Sequence, residues 1–467
     1  MIPALIAAAL VVAYAVVVSR LHRAHPEVRW DWSAIDADVS FPKDFVWGTA
    51  TAAHQVEGGN TNNQWHRWEH ATDAKGKPRI LHGHRSENAV EHWERFADDI
   101  RRMKEELGAT SYRFSLEWSR CEPEEGTWDE AAFAHYHDVI DACIAHGVEP
   151  MVTLHHFSDP IWFADKGGFE QLENVDLLVR FAEKAFAEYG DKVARWNTHN
   201  EPGPYSLMGY ALGVFPPGVK SAKRYARVLC NLMHSHARIY AAIKAMPGGE
   251  RTEIALVKNI FQIEPFDRWH LGQWILSRVA DHAYNESVLT CLKTGVFEVR
   301  IPGFVHLREE IPGITESLDF VGLNYYSHVM VRLLMDREPP FAVLARPGDV
   351  VCDMAYCVYP EGFHRALMRI GRLGKPVMVT ENGIPDDRDD RRADWIRRYT
   401  YAMKRAMDDG VDVRGFHYWS LLDNFEWAEG WGPCFGLFGV DRATQERTLR
   451  DGAKAYVDVI ARSGGAA

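Results

Sequence analysis

The sequence predicts an α/β chain: a (β/α)8 barrel preceded by an N-terminal membrane-anchor helix. Three observations predict it. Short apolar or β-branched runs alternate with amphipathic helical stretches from about residue 41 to residue 462. No shift in composition divides that span. An unbroken apolar run, Ile2 to Val18, stands in front of it. Strands that alternate with helices call for a parallel sheet, and closing eight of them into a barrel is the economical solution.

The apolar run comes first. Seventeen helical residues span about 25 Å, slightly short of a ~30 Å hydrocarbon core. A secretory signal begins with positive charge, and here no Lys or Arg precedes the run. The charges follow it, at Arg20, Arg23 and Arg29. Residues 1–19 are therefore expected to form a membrane anchor, with the following domain in the cytoplasm by the positive-inside rule. A signal peptide cut near Ala13-Tyr14-Ala15 is the competing reading. Residues 20–40 are polar and read as a linker.

Residues 41–462 form the barrel domain. Its candidate strands are Phe45–Ala50, Ser111–Leu116, Pro150–His155, Arg195–Asn200, Glu253–Lys258, Phe320–Tyr325, Val377–Thr380 and Gly415–Trp419. Between most of them the apolar residues recur every three or four positions. Trp93, Phe96, Ile100, Met103 and Leu107 show the pattern within Glu91–Leu107, which gives a helix with one buried face. Phe133–His146, Leu177–Tyr189, Tyr225–Met246, Phe363–Leu373 and Trp395–Met407 read similarly.

Composition narrows the function. The net charge of −12 comes without a long basic block, which argues against nucleic acid as a partner. Seven cysteines without framework spacing suit a reducing compartment. There is no phosphate-cradling Gly-Lys-Ser/Thr loop, no G-x-G-x-x-G after a strand, no H-E-x-x-H and no G-x-S-x-G elbow. No dedicated metal site and no organic cofactor are expected. The mixed charge run Asp386–Asp394 reads as a solvated loop, and Cys352 and Cys357 as free thiols.

In such a barrel the chemistry sits where strands end. Here those ends carry His155-His156-Phe157, Asn200-Glu201-Pro202, Asn324-Tyr325-Tyr326, Glu381-Asn382-Gly383 and Trp419, followed by Asp423-Asn424-Phe425-Glu426-Trp427. Glu201 and Glu381, on the fourth and seventh strands, can point at one central site. Two opposed carboxylates are what glycoside cleavage requires: one protonates the leaving oxygen, the other attacks the anomeric carbon or activates water. Asn-Glu-Pro and Glu-Asn-Gly are each ordinary turn sequences alone. Their joint occurrence on opposed strands carries the reading.

The chain resembles glycoside hydrolase family 1, the β-glucosidase family, over roughly residues 41–460. The matching stretches are FVWGTATAAHQVEGG (45–59), YRFSLEWSR (112–120), HHF (155–157), THNEP (198–202), FVGLNYYS (320–327), VTENG (379–383) and WSLLDNFEWAEGW (419–431). The resemblance implies a TIM barrel and a retaining exo-β-glycosidase that releases terminal β-glucosyl, galactosyl or fucosyl residues. Glu201 matches the acid/base and Glu381 the nucleophile. Arg113 and Tyr326 match groups beside the nucleophile, and Asn200 and Asn324 match binders of the sugar 2-hydroxyl. Gln55, His156, Glu426 and Trp427 match binders of the other hydroxyls. Trp419 matches the platform under the ring, and Phe435 closes that wall. Glu426 suits a neutral hydroxyl and would repel a 6-phosphate.

Some positions depart from the family pattern. His199 stands where a larger apolar residue is usual; a satisfied strand histidine is the expected reading. The loop Asn60–Trp65 and the segment Gly432-Pro433-Cys434 differ where the outer pocket is lined. The expected partner is a small β-glycoside. Because of the apolar helix, a glycolipid substrate and a membrane-anchored glycosyl transferase are the alternatives.

Overall fold

The computed structural model describes residues 2–333, 341–342 and 345–464. Eight parallel strands close into a barrel. They are β1 (Val46–Ala50), β2 (Ser111–Ser115), β3 (Glu149–His155), β4 (Arg195–Asn200), β5 (Glu253–Asn259), β6 (Val321–Asn324), β7 (Val377–Asn382) and β8 (Val413–Trp419). All eight coincide with the strands expected from sequence. β1 pairs with both β2 and β8, so the sheet has no edge.

Ile254–Val257 in β5 and Val377–Val379 in β7 are continuous apolar runs, while β2 and β4 carry buried polar residues as well. Apolar runs are what burial on both faces favours in a parallel strand. Inside the barrel a small cluster of Met151, Ala255, Phe320 and Met378 fills the end away from the polar rim. Outside, helices His92–Glu105, Glu130–Ala145, Val175–Tyr189, Ala222–Ala245, Pro360–Ile370 and Arg392–Asp408 cover the sheet. Asp129 caps the second of them by accepting from the backbone N–H groups of Ala131 and Ala132, which satisfies donors a helix start otherwise leaves orphaned.

The N-terminal helix runs from Ile2 to Ala24, five residues beyond the boundary expected at residue 19. Arg20, His22 and Arg23 interrupt the hydropathy but not the helix, and cations are favoured at a helix C-terminus. Residues 25–40 lie against the barrel. The backbone N–H of Trp30 and the indole of Trp32 both donate to the Glu361 carboxylate, and Arg29 pairs with Asp349.

The run Asp386–Asp394 is only in part the solvated loop its charge suggests: Asp387, Arg388, Asp390 and Asp394 are exposed. Asp386 and Arg392 are fully buried. The Arg392 guanidinium donates to the carbonyls of Ile384, Asp386, Cys434 and Phe435 and to the Tyr418 hydroxyl. A charge density that normally signals water here fastens the loop after β7 to the loop after β8.

Candidate active site

β4 and β7 have β5 and β6 between them on one side of the barrel and the other four strands on the other. Their last residues therefore face one another across the mouth. Glu381 lies at the end of β7. Its Oε1 accepts from Arg113 Nη1 at 2.6 Å, and its Oε2 accepts from the Tyr326 hydroxyl at 2.8 Å. Arg113 points inward from β2 and is fully buried. Its other nitrogen donates to Asn200 Oδ1 at 2.8 Å.

Glu201 follows β4 with φ 45° and ψ 69°, in the left-handed region that side-chain-bearing residues rarely adopt. This backbone turn aims the carboxylate into the mouth. Glu201 Oε1 accepts from Asn324 Nδ2 at 2.9 Å and from Asn259 Nδ2 at 3.0 Å. The same Asn324 Nδ2 donates to Asn200 Oδ1 at 3.1 Å. Asn200 Oδ1 thus accepts both from Asn324, which holds Glu201, and from Arg113, which holds Glu381.

The two environments differ in a way that separates the acids. Burial raises the proton affinity of both. At Glu381 the adjacent Arg113 cation and the hydrogen bonds from Arg113 and Tyr326 oppose that rise. Glu201 has no cation in contact, and the charge of Glu381 pushes it further up, to about 8. The shared proton therefore sits on Glu201, and Glu381 is the ionised partner.

The remaining expected residues line the same mouth. His156 is held well below the usual histidine range by burial and by Arg113, so its ring is neutral. Its Nε2 accepts from Asn200 Nδ2 at 2.8 Å. Gln55 Nε2 donates to Glu426 Oε2 at 3.1 Å and to the carbonyl of Phe425 at 2.9 Å. His156 Nδ1 and Gln55 Oε1 are buried without a hydrogen-bond partner among the described residues. One is a donor and the other an acceptor, and a sugar hydroxyl can serve either role. The Trp419 ring lies 5.7 Å from His156, Trp427 lies 6.1 Å from it, and Phe435 meets Tyr326 edge-on at 6.0 Å.

His199 does not reach Glu201's proton. Its nitrogens meet His155 Nδ1 at 3.3 Å and the Ser235 hydroxyl at 2.8 Å, and burial keeps it neutral. Sequence reasoning missed the end of β5. Asn259 binds Glu201, and its Oδ1 is in turn fixed by the Tyr284 hydroxyl at 2.7 Å. Lys258 is fully buried beside them, its ammonium 4.3 Å from the Tyr284 ring, and burial lowers it to about 7. Lys-Asn at a strand end fits the same rim pattern as the other strands and was the available signal. Trp65, expected only as part of the divergent outer-pocket loop after β1, packs 4.7 Å from Trp427.

Comparison with known proteins agrees with this geometry. The profile of Glycosyl hydrolase family 1 matches residues 37–465. The chain belongs to glycosyl hydrolase family 1. Beta-glucosidase A of Acetivibrio thermocellus is 32% identical over 91% of this chain and 99% of its own length. A 1,4-beta-D-glucan glucohydrolase of Thermotoga neapolitana is 30% identical over 91% and 99%. Among solved structures, a beta-glycosidase from Pyrococcus horikoshii superposes with a TM-score of 0.81 at 37% identity, covering 91% of this chain and 96% of that one. The family 1 glucosidase of Thermotoga maritima gives 0.82 at 29% identity, covering 91% and 99%. The protein is thus a glycoside hydrolase with a (β/α)8 barrel.

Within this family 1 barrel, Glu426 is expected to contribute to the pH dependence of stability. Burial first, then the charges of Glu381, Glu429 and Glu201, raise it to about 8. Between its ordinary value of 4.5 and 8 the folded chain keeps a proton that the unfolded chain has lost. More protons on the folded state means stability falls as pH rises through that window. Glu426→Gln is expected to flatten the decline of Tm between about pH 5 and 8 by on the order of 1–2 °C, read by calorimetry across the range. An unchanged slope would refute the raised affinity.

Proposed function

We propose that the enzyme is a retaining, exo-acting β-glycosidase that removes terminal β-glucosyl, or galactosyl or fucosyl, residues from small β-glycosides. The observation that carries this reading is the unequal pair of carboxylates. Glu381, ionised against Arg113 and Tyr326, attacks the anomeric carbon. Glu201, the proton carrier, protonates the leaving oxygen. The covalent glycosyl-enzyme is then hydrolysed by water that Glu201 deprotonates. The two carboxylates share one compact network, Glu381–Arg113–Asn200–Asn324–Glu201, which supports a short separation and so favours retention over inversion.

The other residues serve substrate. Asn200 and Asn324 meet the 2-hydroxyl, whose hydrogen bonds strengthen as positive charge develops on the sugar. Gln55, His156, Glu426 and Trp427 take the remaining hydroxyls. Trp419 supports the ring face and Phe435 bounds the wall. No metal or organic group has a step in this scheme. The relatives reported above are glucosidases and a glucohydrolase, which lends nothing to the transferase alternative or to a glycolipid substrate.

The chain divides into an anchor over residues 1–19, a connecting segment over 20–40 and a glycosidase domain over 41–462. The apolar helix holds the enzyme at the membrane, and the arginines that follow it keep the catalytic domain on the cytoplasmic side.

The test of the mechanism is stereochemical. Aryl β-glucoside, β-galactoside, β-fucoside and β-mannoside are offered to the full chain, and the anomeric proton of the released sugar is followed by NMR. The β-anomer is expected first, with the α-anomer growing in by mutarotation. First appearance of the α-anomer would overturn the assignment of Glu381 as nucleophile.

A further inference from the structure

The N-terminal helix does not stand clear of the barrel. The Tyr14 hydroxyl donates to the Trp269 carbonyl and accepts from the backbone N–H of Leu271. Val18 is fully buried. The His22 ring lies 5.1 Å from Trp269 and 5.9 Å from Trp274, and its Nε2 meets the Arg268 carbonyl at 2.6 Å. The Arg268 guanidinium donates back to the His25 carbonyl at 2.6 Å. The second half of the helix is thus docked on residues 268–274.

This docking has a length consequence. Only residues 2–13, twelve in number, project past the contact, and twelve helical residues span about 18 Å. A hydrocarbon core is ~30 Å thick. The apolar run itself continues through the docked part as far as Val18. A helix that enters lipid to the depth its apolar length demands therefore carries part of the barrel surface in with it.

The surface that would enter is suited to it. Trp269 is 57% exposed and Ile275 60%. Val16 and Val17 on the helix are 45% and 44% exposed. Leu333, 41% exposed, has its side chain against Gly272. Together they extend the apolar surface from the helix onto the barrel. Arg20 and Arg23 follow the apolar run and are exposed, where lipid phosphates would meet them. Tyr and Trp at the junction match the side chains that favour the headgroup level.

We infer that the face around Trp269 and Ile275 is a lipid-docking surface, so that the catalytic domain sits on an anionic membrane rather than hanging from it by a tether. The inference rests on the anchor reading proposed above. Its partner is a bilayer surface, bound through the apolar side chains and the flanking arginines.

The experiment uses the full chain with vesicles of mixed phosphatidylcholine and phosphatidylglycerol, the phosphatidylcholine carrying brominated acyl chains. Flotation reads attachment, and quenching of tryptophan fluorescence reads depth. The expected result is flotation with partial quenching, and loss of most of the quenched fraction in Trp269→Phe. A second variant, Ile275→Asp, is expected to float but to show the quenched fraction reduced at least two-fold. Both positions are exposed, and neither is among the residues that hydrogen-bond Glu201 or Glu381, so aryl-glycoside turnover reports an intact fold. Flotation with equal quenching in wild type and Trp269→Phe, or flotation without quenching, overturns the docking while the anchor stands. Absence of flotation overturns the anchor reading and the inference with it.

Discussion

Glu381→Gln is expected to lower kcat on aryl β-glucosides by roughly 10⁴-fold or more. The substitution keeps the shape of the side chain and removes only its charge and nucleophilicity. The fold is expected to survive. Arg113 keeps Asn200 Oδ1 and the Thr380 carbonyl as acceptors, so the buried cation is not stripped of partners. Circular dichroism and Tm separate loss of chemistry from loss of structure. The change also has an electrostatic signature. With the neighbouring charge gone, Glu201 loses one of the two causes of its raised proton affinity, and its pKa moves down. Retained turnover in a folded Glu381→Gln protein would sink the catalytic assignment.

Removing the proton carrier produces a different pattern. Glu201→Gln is expected to slow substrates with poor leaving groups, such as alkyl glucosides, by about 10²–10⁴-fold. Substrates whose leaving group departs without protonation are expected to lose far less in the first step. The second step still needs a base, so glycosyl-enzyme accumulates and a burst of aglycone precedes slow turnover. In the wild type, Glu201 titrates at about 8 and must be protonated to act as the acid. Activity therefore falls as pH rises through that value, and the limb disappears in Glu201→Gln. A uniform loss across all leaving groups, with the alkaline limb intact, would place the acid elsewhere.

Much of this arrangement was legible in the chain. Most barrel strands hold apolar or β-branched residues and end in polar or aromatic ones, so one pattern marks both the strand and the rim. The residues expected at the mouth do meet there, because a parallel barrel brings every strand's C-terminal end to one face. What escaped was set by contacts between distant elements. Asn259 matters through Glu201 and Tyr284; the Lys-Asn end of β5 marks the rim but does not display those partners. Arg392 sits in a segment whose charge density reads as surface. Its partners include the Tyr418 hydroxyl and the Cys434 and Phe435 carbonyls from distant parts of the chain, which a charge pattern cannot display. The helix end at Ala24 escaped for a related reason: hydropathy stops at the first arginine, but helicity does not.

The closure of the barrel joins the first strand to the last. Val46–Ala50 pairs in register with Gly415–Trp419, and the Tyr456 hydroxyl donates at 2.6 Å to the Gly48 carbonyl and at 3.3 Å to that of Phe416, pinning the seam from outside. Roughly 370 residues separate the two strands in the chain. At a synthesis rate of about 5–20 residues per second, β1 waits roughly 20–70 s for its partner. During that interval one flank of the nascent sheet is open, with Gly48 at its centre and no eighth strand to receive its backbone groups. Birth of the enzyme is therefore all-or-none with respect to the far end of the message. A chain released before the seam helix at Lys454–Arg462 has been made carries every catalytic residue and lacks the fastening that holds them in a ring.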